Sequence, residues 1–117
     1  MQSGPDLDAL IARKFWKSLV ITDFGDDGEP EHYMVEKGTG AKVPVPQYST
    51  DIDDSHQVVQ FFRSNGWVFN AQHVASTDRF RAGFGKTLPD AIYVESDTLP
   101  LAICHAALVA IGYIKRS

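Results

Sequence analysis

The stretch Tyr48-Ser49-Thr50-Asp51-Ile52-Asp53-Asp54-Ser55-His56-Gln57-Val58-Val59-Gln60-Phe61-Phe62-Arg63-Ser64-Asn65-Gly66-Trp67-Val68-Phe69 decides the fold. Thr50 is placed to cap a helix, its hydroxyl accepting an otherwise unpaired backbone N–H near the third helical position. Asp51, Asp53 and Asp54 crowd the first turn, where the helix dipole favours negative charge. Ile52, Val59 and Phe62 recur at helical spacing, and Val58 and Phe61 widen the apolar face. Arg63 stands in the last turn and Asn65-Gly66 supplies a left-handed stop, so the helix is expected over Thr50 to Ser64. From Trp67 the period falls to two, with Trp67, Phe69 and Ala71 on one side and Val68, Asn70 and Gln72 on the other. A helix joined to a strand by so short a turn packs back on that strand's sheet. The aspartates also suggest a metal loop, but a hard-cation loop needs a glycine and regularly spaced oxygen ligands, and dipole complementarity accounts for them.

Upstream, Asp6 or Gly4 opens a first helix with Pro5 early in it, and Leu7, Leu10, Ile11 and Phe15 form its apolar stripe while Asp8 lies off it. Leu19 to Phe24 and His32 to Glu36 read as strands joined by a Gly/Asp/Pro turn. Residues 38–47, rich in glycine and proline, read as a flexible loop of the kind that often carries binding groups. Downstream, Trp67 to Val74, Arg79 to Gly85 and Ala91 to Glu95 read as an antiparallel meander. Within it Phe80, Ala82 and Phe84 share one face, and Arg79, Arg81 and Gly83 the other. Asp97 or Thr98 caps a last helix with Pro100 in its first turn. That helix is apolar nearly all round, which demands burial on most sides; Gly112 ends it, and Lys115-Arg116 form a polar tail.

The expected fold is therefore α+β: about five largely antiparallel strands in one sheet, with three helices packed on it. Phe62, Trp67, Phe69, Phe80, Ile103 and Leu108 are the expected core. A chain of 117 residues suggests one domain, 1–117, with residues 1–5 frayed. The single cysteine, Cys104, excludes an internal disulfide and a cysteine-based zinc cluster. A formal charge of −4 argues against a general nucleic-acid binder or an anionic-membrane binder. No basic-then-apolar amino terminus is present, so no signal peptide is expected, and the apolar run Leu99 to Ile114 is too short to span a membrane.

The segments Leu7-Asp8-Ala9-Leu10-Ile11-Ala12, Tyr48-Ser49-Thr50-Asp51-Ile52, Gly66-Trp67-Val68-Phe69 and Asp97 to Leu108 together resemble the small phage and prophage proteins of the phage ABA-sandwich domain family. The Tyr-Ser-Thr-Asp helix start and the Pro-Leu-Ala-Ile-Cys helix are the most specific parts; residues Lys17 to Val43 do not follow the pattern. The resemblance implies helices on both faces of a sheet, a phage origin, and a setting in the cytoplasm of the infected bacterium. It carries over no activity and no catalytic residues.

Few constellations point to chemistry. Gly83-Phe84-Gly85-Lys86-Thr87 ends like a phosphate-binding loop, but Phe80 stands where the motif needs its first glycine. The four histidines lack zinc-protease spacing. Cys104 on its apolar helix reads as a buried inert thiol, and Ser49 beside a helix start reads as a capping group. What stands out is Arg79 and Arg81 on one strand face, where guanidinium groups can grip a phosphate or carboxylate, with Lys86 and His73 close in sequence. Tyr48 and Tyr93 are candidate stacking surfaces beside them. The expected function is binding and sequestration, without catalysis, of a small anionic nucleotide-derived signal of antiviral defence, with no cofactor and no metal. An inhibitor of a host protein and a phosphodiesterase-type enzyme are the alternatives. The all-round apolar last helix suggests a homo-oligomer.

Overall fold

The computed structural model describes residues 2–114; the expected Lys115-Arg116 tail lies outside them. Helix α1, Pro5–Trp16, starts at Gly4 with Pro5 at its first position, where a missing N–H costs nothing. Lys17, at φ 55°, ends it in the left-handed conformation. A meander of β1 (Leu19–Phe24), β2 (Pro30–Val35) and β3 (Lys42–Pro44) follows, antiparallel throughout. Helix α2, Ile52–Ser64, then leads into a second antiparallel meander of β4 (Val68–Val74), β5 (Arg79–Gly85) and β6 (Ile92–Ser96). Helix α3, Leu99–Ala110, follows β6, with Thr98 accepting the Leu101 N–H through its hydroxyl.

The mixed α+β class is as expected, but the strands form two three-stranded sheets and not one of about five. The strand that the sequence hides is β3, inside the glycine- and proline-rich stretch 38–47. Its three residues are too few to show a period, and they are strand because Tyr33, Met34 and Val35 pair with them. The division into two sheets follows from chain order: each meander pairs its own strands through short connections, and α2 carries the chain from one to the other.

The arrangement also differs from helices covering both faces of one sheet. Helix α1 packs on β1 and β2, while α2 and α3 pack on the second sheet. The two groups meet through aromatic rings: Phe15 of α1 lies 5.5 Å from Phe61 and 5.3 Å from Phe62 of α2. The helices thus form a middle layer with a sheet on either side. Phe62, Ile103 and Leu108 are buried as expected. Trp67, Phe69 and Phe80 are only partly buried, although they pack against the same core. Helix α3 finds its cover inside the chain, on β5, β6 and α2, with Ala102, Cys104, Ala107 and Leu108 fully buried. The motive for expecting an oligomer is thereby spent within one chain.

Helix α2 begins one residue later than the sequence suggests. Asp51 is its cap, its carboxylate accepting the Asp54 N–H at 3.0 Å, and Thr50 lies in the turn before it. Ile52 is 49% exposed, and the buried face is Ser55, Val58, Val59 and Phe62. The turn is fixed from elsewhere. Asp8, which the periodicity of α1 places off its apolar stripe, is 4% exposed. Its Oδ1 accepts the Ser49 N–H at 2.8 Å and the Ser49 hydroxyl at 2.6 Å, and the Gly4 N–H donates to Ser49 Oγ at 2.9 Å. Ser49 therefore ties the first turn of α1 to the start of α2, across 41 residues of sequence.

Burial, and secondarily the charge of Asp54, raise the Asp8 pKa above its ordinary value, although the Ser49 bonds pull the other way. A carboxyl with a raised folded-state pKa takes its proton first in the folded state, so acidification from above that pKa toward the unfolded value favours folding. Wild type should therefore gain stability relative to Asp8→Asn as pH falls through that window, read as a difference in denaturant midpoints. A difference that is flat with pH, or that moves the other way, contradicts this account of Asp8.

Candidate functional site on the outer face of the second sheet

Among the described residues no helix packs on the face of the second sheet opposite α2 and α3, and the pleat sends Asn70, Gln72, Arg79, Arg81, Tyr93 and Glu95 to it. Its centre is Tyr93 of β6. In the register Tyr93 is opposite Gly83 of β5, and its ring lies on that glycine: a Cβ there would come within 2.9 Å of Tyr93 Cδ1. The Asn70 side-chain amide donates to the Tyr93 hydroxyl at 3.0 Å from β4. The ring is thus held by three strands at once. The Arg81 guanidinium carbon stands 5.1 Å from its centroid, within cation–π range. Among the described residues Arg81 makes no ion pair, although Glu95 is its cross-strand neighbour.

Arg79 is differently placed. Its Nε is 3.3 Å from Asp97 Oδ1, and its Nη2 donates to the Glu95 carbonyl at 3.5 Å. Nε is buried and poorly aligned on that carboxylate for a hydrogen bond. Arg79 is thus paired at the start of α3, and among the described residues of this face Arg81 is the cation without an ion pair.

The remaining candidates lie elsewhere. His73 is paired with Phe80 in the register and stacks near it at 5.1 Å, which puts it on the helix side of the sheet; its Nε2 is 2.8 Å from Asp78. Lys86, one residue beyond β5, holds its ammonium 4.3 Å above the Trp67 ring, and Trp67 packs on Phe62. Pleat parity sends both away from Arg79 and Arg81. Tyr48 is 2% exposed and stacks on Trp16 at 5.2 Å, so it offers no free ring to a ligand. Burial raises its hydroxyl pKa to about 12. Burial likewise pushes the Cys104 thiol up, which suits an inert core group, and pulls His105 down.

The structure also holds a concavity to which no local sequence signal points. It lies where the first turn of α1, β2 and the segment before α2 converge, with a volume of about 390 Å³. Asp8, His32 and Gln47 are among its polar lining. Asp8 carried no sequence signal beyond its place in a helical first turn, because its partner Ser49 is distant in the chain.

Among the described residues no group of three or more histidine, cysteine or acidic side chains is placed to hold a metal ion. No helix among them is long and apolar enough to cross a membrane.

The description of the phage ABA sandwich domain matches residues 9–108 of the chain. No curated protein matches. Among solved structures, a crystal structure of a phage protein from Bacillus cereus ATCC 14579 superposes with a TM-score of 0.71 at 21% identity, covering 100% of this chain and 97% of that one. At that identity the likeness concerns the fold.

Proposed function

The chain belongs to the phage ABA sandwich domain family, and from that premise we propose that it is a phage accessory protein that binds an anionic small molecule on the outer face of its second sheet without altering it. The observation that carries this reading is the Arg81–Tyr93 pair: a guanidinium with no carboxylate partner among the described residues, held over a ring that three strands fix. A phosphate takes the outward N–H groups of Arg81, and little ordering entropy opposes binding because strands carry both residues. Arg79 supports the site by holding the β5 end against Asp97. A nucleotide-derived signal of bacterial antiviral defence suits this chemistry, which makes the biological role sequestration in the cytoplasm of the infected cell. The face is not strongly cationic, since Glu95 and Asp97 offset the two arginines. Affinity therefore rests on directed hydrogen bonds more than on net field.

Calorimetry with a panel of cyclic mono- and dinucleotides tests the reading. Arg81→Ala should weaken binding on the order of 10- to 100-fold, as loss of charge-assisted bonds does. Glu95→Gln should strengthen it several-fold by removing the opposing charge. Equal affinity in wild type and Arg81→Ala contradicts the site. Chromatographic detection of a converted nucleotide contradicts the non-catalytic role.

A further inference from the structure

We propose that the cleft between the α1 amino terminus and the first sheet is a separate binding site, which takes a small organic cation, an amine or guanidine, against the Asp8 carboxylate. Its volume of about 390 Å³ falls in the range of small-ligand pockets. Pro5, Pro30, Pro44 and Val45 give it stiff apolar walls, drawn from segments far apart in the chain. Among the described residues no lysine or arginine lines it.

The polar groups set the ligand's charge. Asp8 is 4% exposed, and its Oδ1 is taken by both Ser49 donors. Among the described residues Oδ2 has no hydrogen-bond donor, so a lining carboxylate keeps one acceptor for an incoming group. His32 does not serve Asp8. Its Nδ1 is 2.8 Å from the Thr22 hydroxyl and its Nε2 is 2.8 Å from Asp6, so both ring nitrogens are engaged and the ring acts as a wall. Asp54 adds negative potential, its Oδ2 accepting the N–H of the lining residue Gln47 at 2.8 Å. The amino-terminal end of the α1 dipole would favour an anion, but Asp6 and Asp8 in the first turn offset it. A donor-rich cation satisfies Oδ2 and relieves both the burial and the repulsion that Asp8 bears; an anion meets the Asp8 carboxylate and the Asp54 charge that repels it.

Titration calorimetry and amide NMR of the full chain with agmatine and with putrescine test this. Wild type should bind agmatine saturably, with shifts at Asp8, Gln47 and Thr50. Asp8→Asn keeps an oxygen for the Ser49 donors and loses the charge, and should weaken binding on the order of tenfold or more. Thr50→Trp, at an exposed lining position, fills the mouth without touching the Asp8–Ser49 bonds and should abolish binding at an unchanged melting temperature. Arg81→Ala should bind agmatine as wild type does, whatever it does to nucleotides, which separates this site from the one on the second sheet. Absence of saturable binding of either amine to wild type at millimolar concentration overturns the proposal. So does equal binding by Asp8→Asn or, should that variant unfold, by Thr50→Trp.

Discussion

Phe62→Ala is expected to destabilise the protein by about 3–5 kcal/mol, the upper range for truncating a buried aromatic. Phe62 is 2% exposed and is the ring on which the layers meet. It stacks on Phe84 of β5 at 4.3 Å, and it contacts Phe15 of α1 and Trp67 edge-on, each at 5.3 Å. Truncation leaves a void bounded by α1, α2 and the second sheet, which cannot all close in without breaking other contacts. Denaturant melts measure the loss. The control is Phe24→Ser: Phe24 is 72% exposed on β1, and its change should stay within about 0.5 kcal/mol. A Phe62→Ala loss below about 1 kcal/mol would mean that the helices and the second sheet do not share this core.

Gly85→Ala is expected to cost about 1–3 kcal/mol or more, because the added methyl has nowhere to go. A Cβ at Gly85 would lie 2.6 Å from Ala91 N, 2.7 Å from Ala91 Cα and 2.8 Å from the Thr87 carbonyl oxygen. All three are backbone atoms of the 86–91 connection, so no side-chain rotation relieves the contact, and the turn between β5 and β6 must open. Amide exchange should show faster opening at the Phe84–Ile92 end of the ladder. A melting midpoint equal to wild type would contradict this turn geometry. Gly83→Ala differs in kind, since much of its conflict is with the Tyr93 ring. It should displace Tyr93 and weaken nucleotide binding without removing any charge.

Most of the elements could be read from local signals, because caps and periods are local. Thr98, Asn65-Gly66 and Gly112 mark helix ends, and β1 and β5 run between the residues that their alternation suggests. What sequence could not show depends on distant partners. Lys42–Pro44 is strand because of β2, and Asp8 is buried because Ser49 and Gly4 meet there. The division into two sheets depends on which strands find each other, and the side chains do not encode this when both meanders are self-contained. One feature of the candidate site was legible and easily missed. Lys86 is an odd number of residues from both Arg79 and Arg81, so the strand period alone sends it to the opposite face. Tyr48 looked available only because an aromatic beside a helix start carries no mark of burial; its stack on Trp16 is a tertiary fact.

The most direct measurement is an amide NMR titration of the full chain with the cyclic nucleotide that binds tightest in calorimetry. Binding through Arg81 and Tyr93 predicts shifts concentrated at Asn70, Gln72, Arg81, Gly83, Tyr93 and Glu95, on one face of three paired strands. Shifts centred instead on Asp8, His32 and Gln47, or on Lys86 and Trp67 on the helix side, would contradict it.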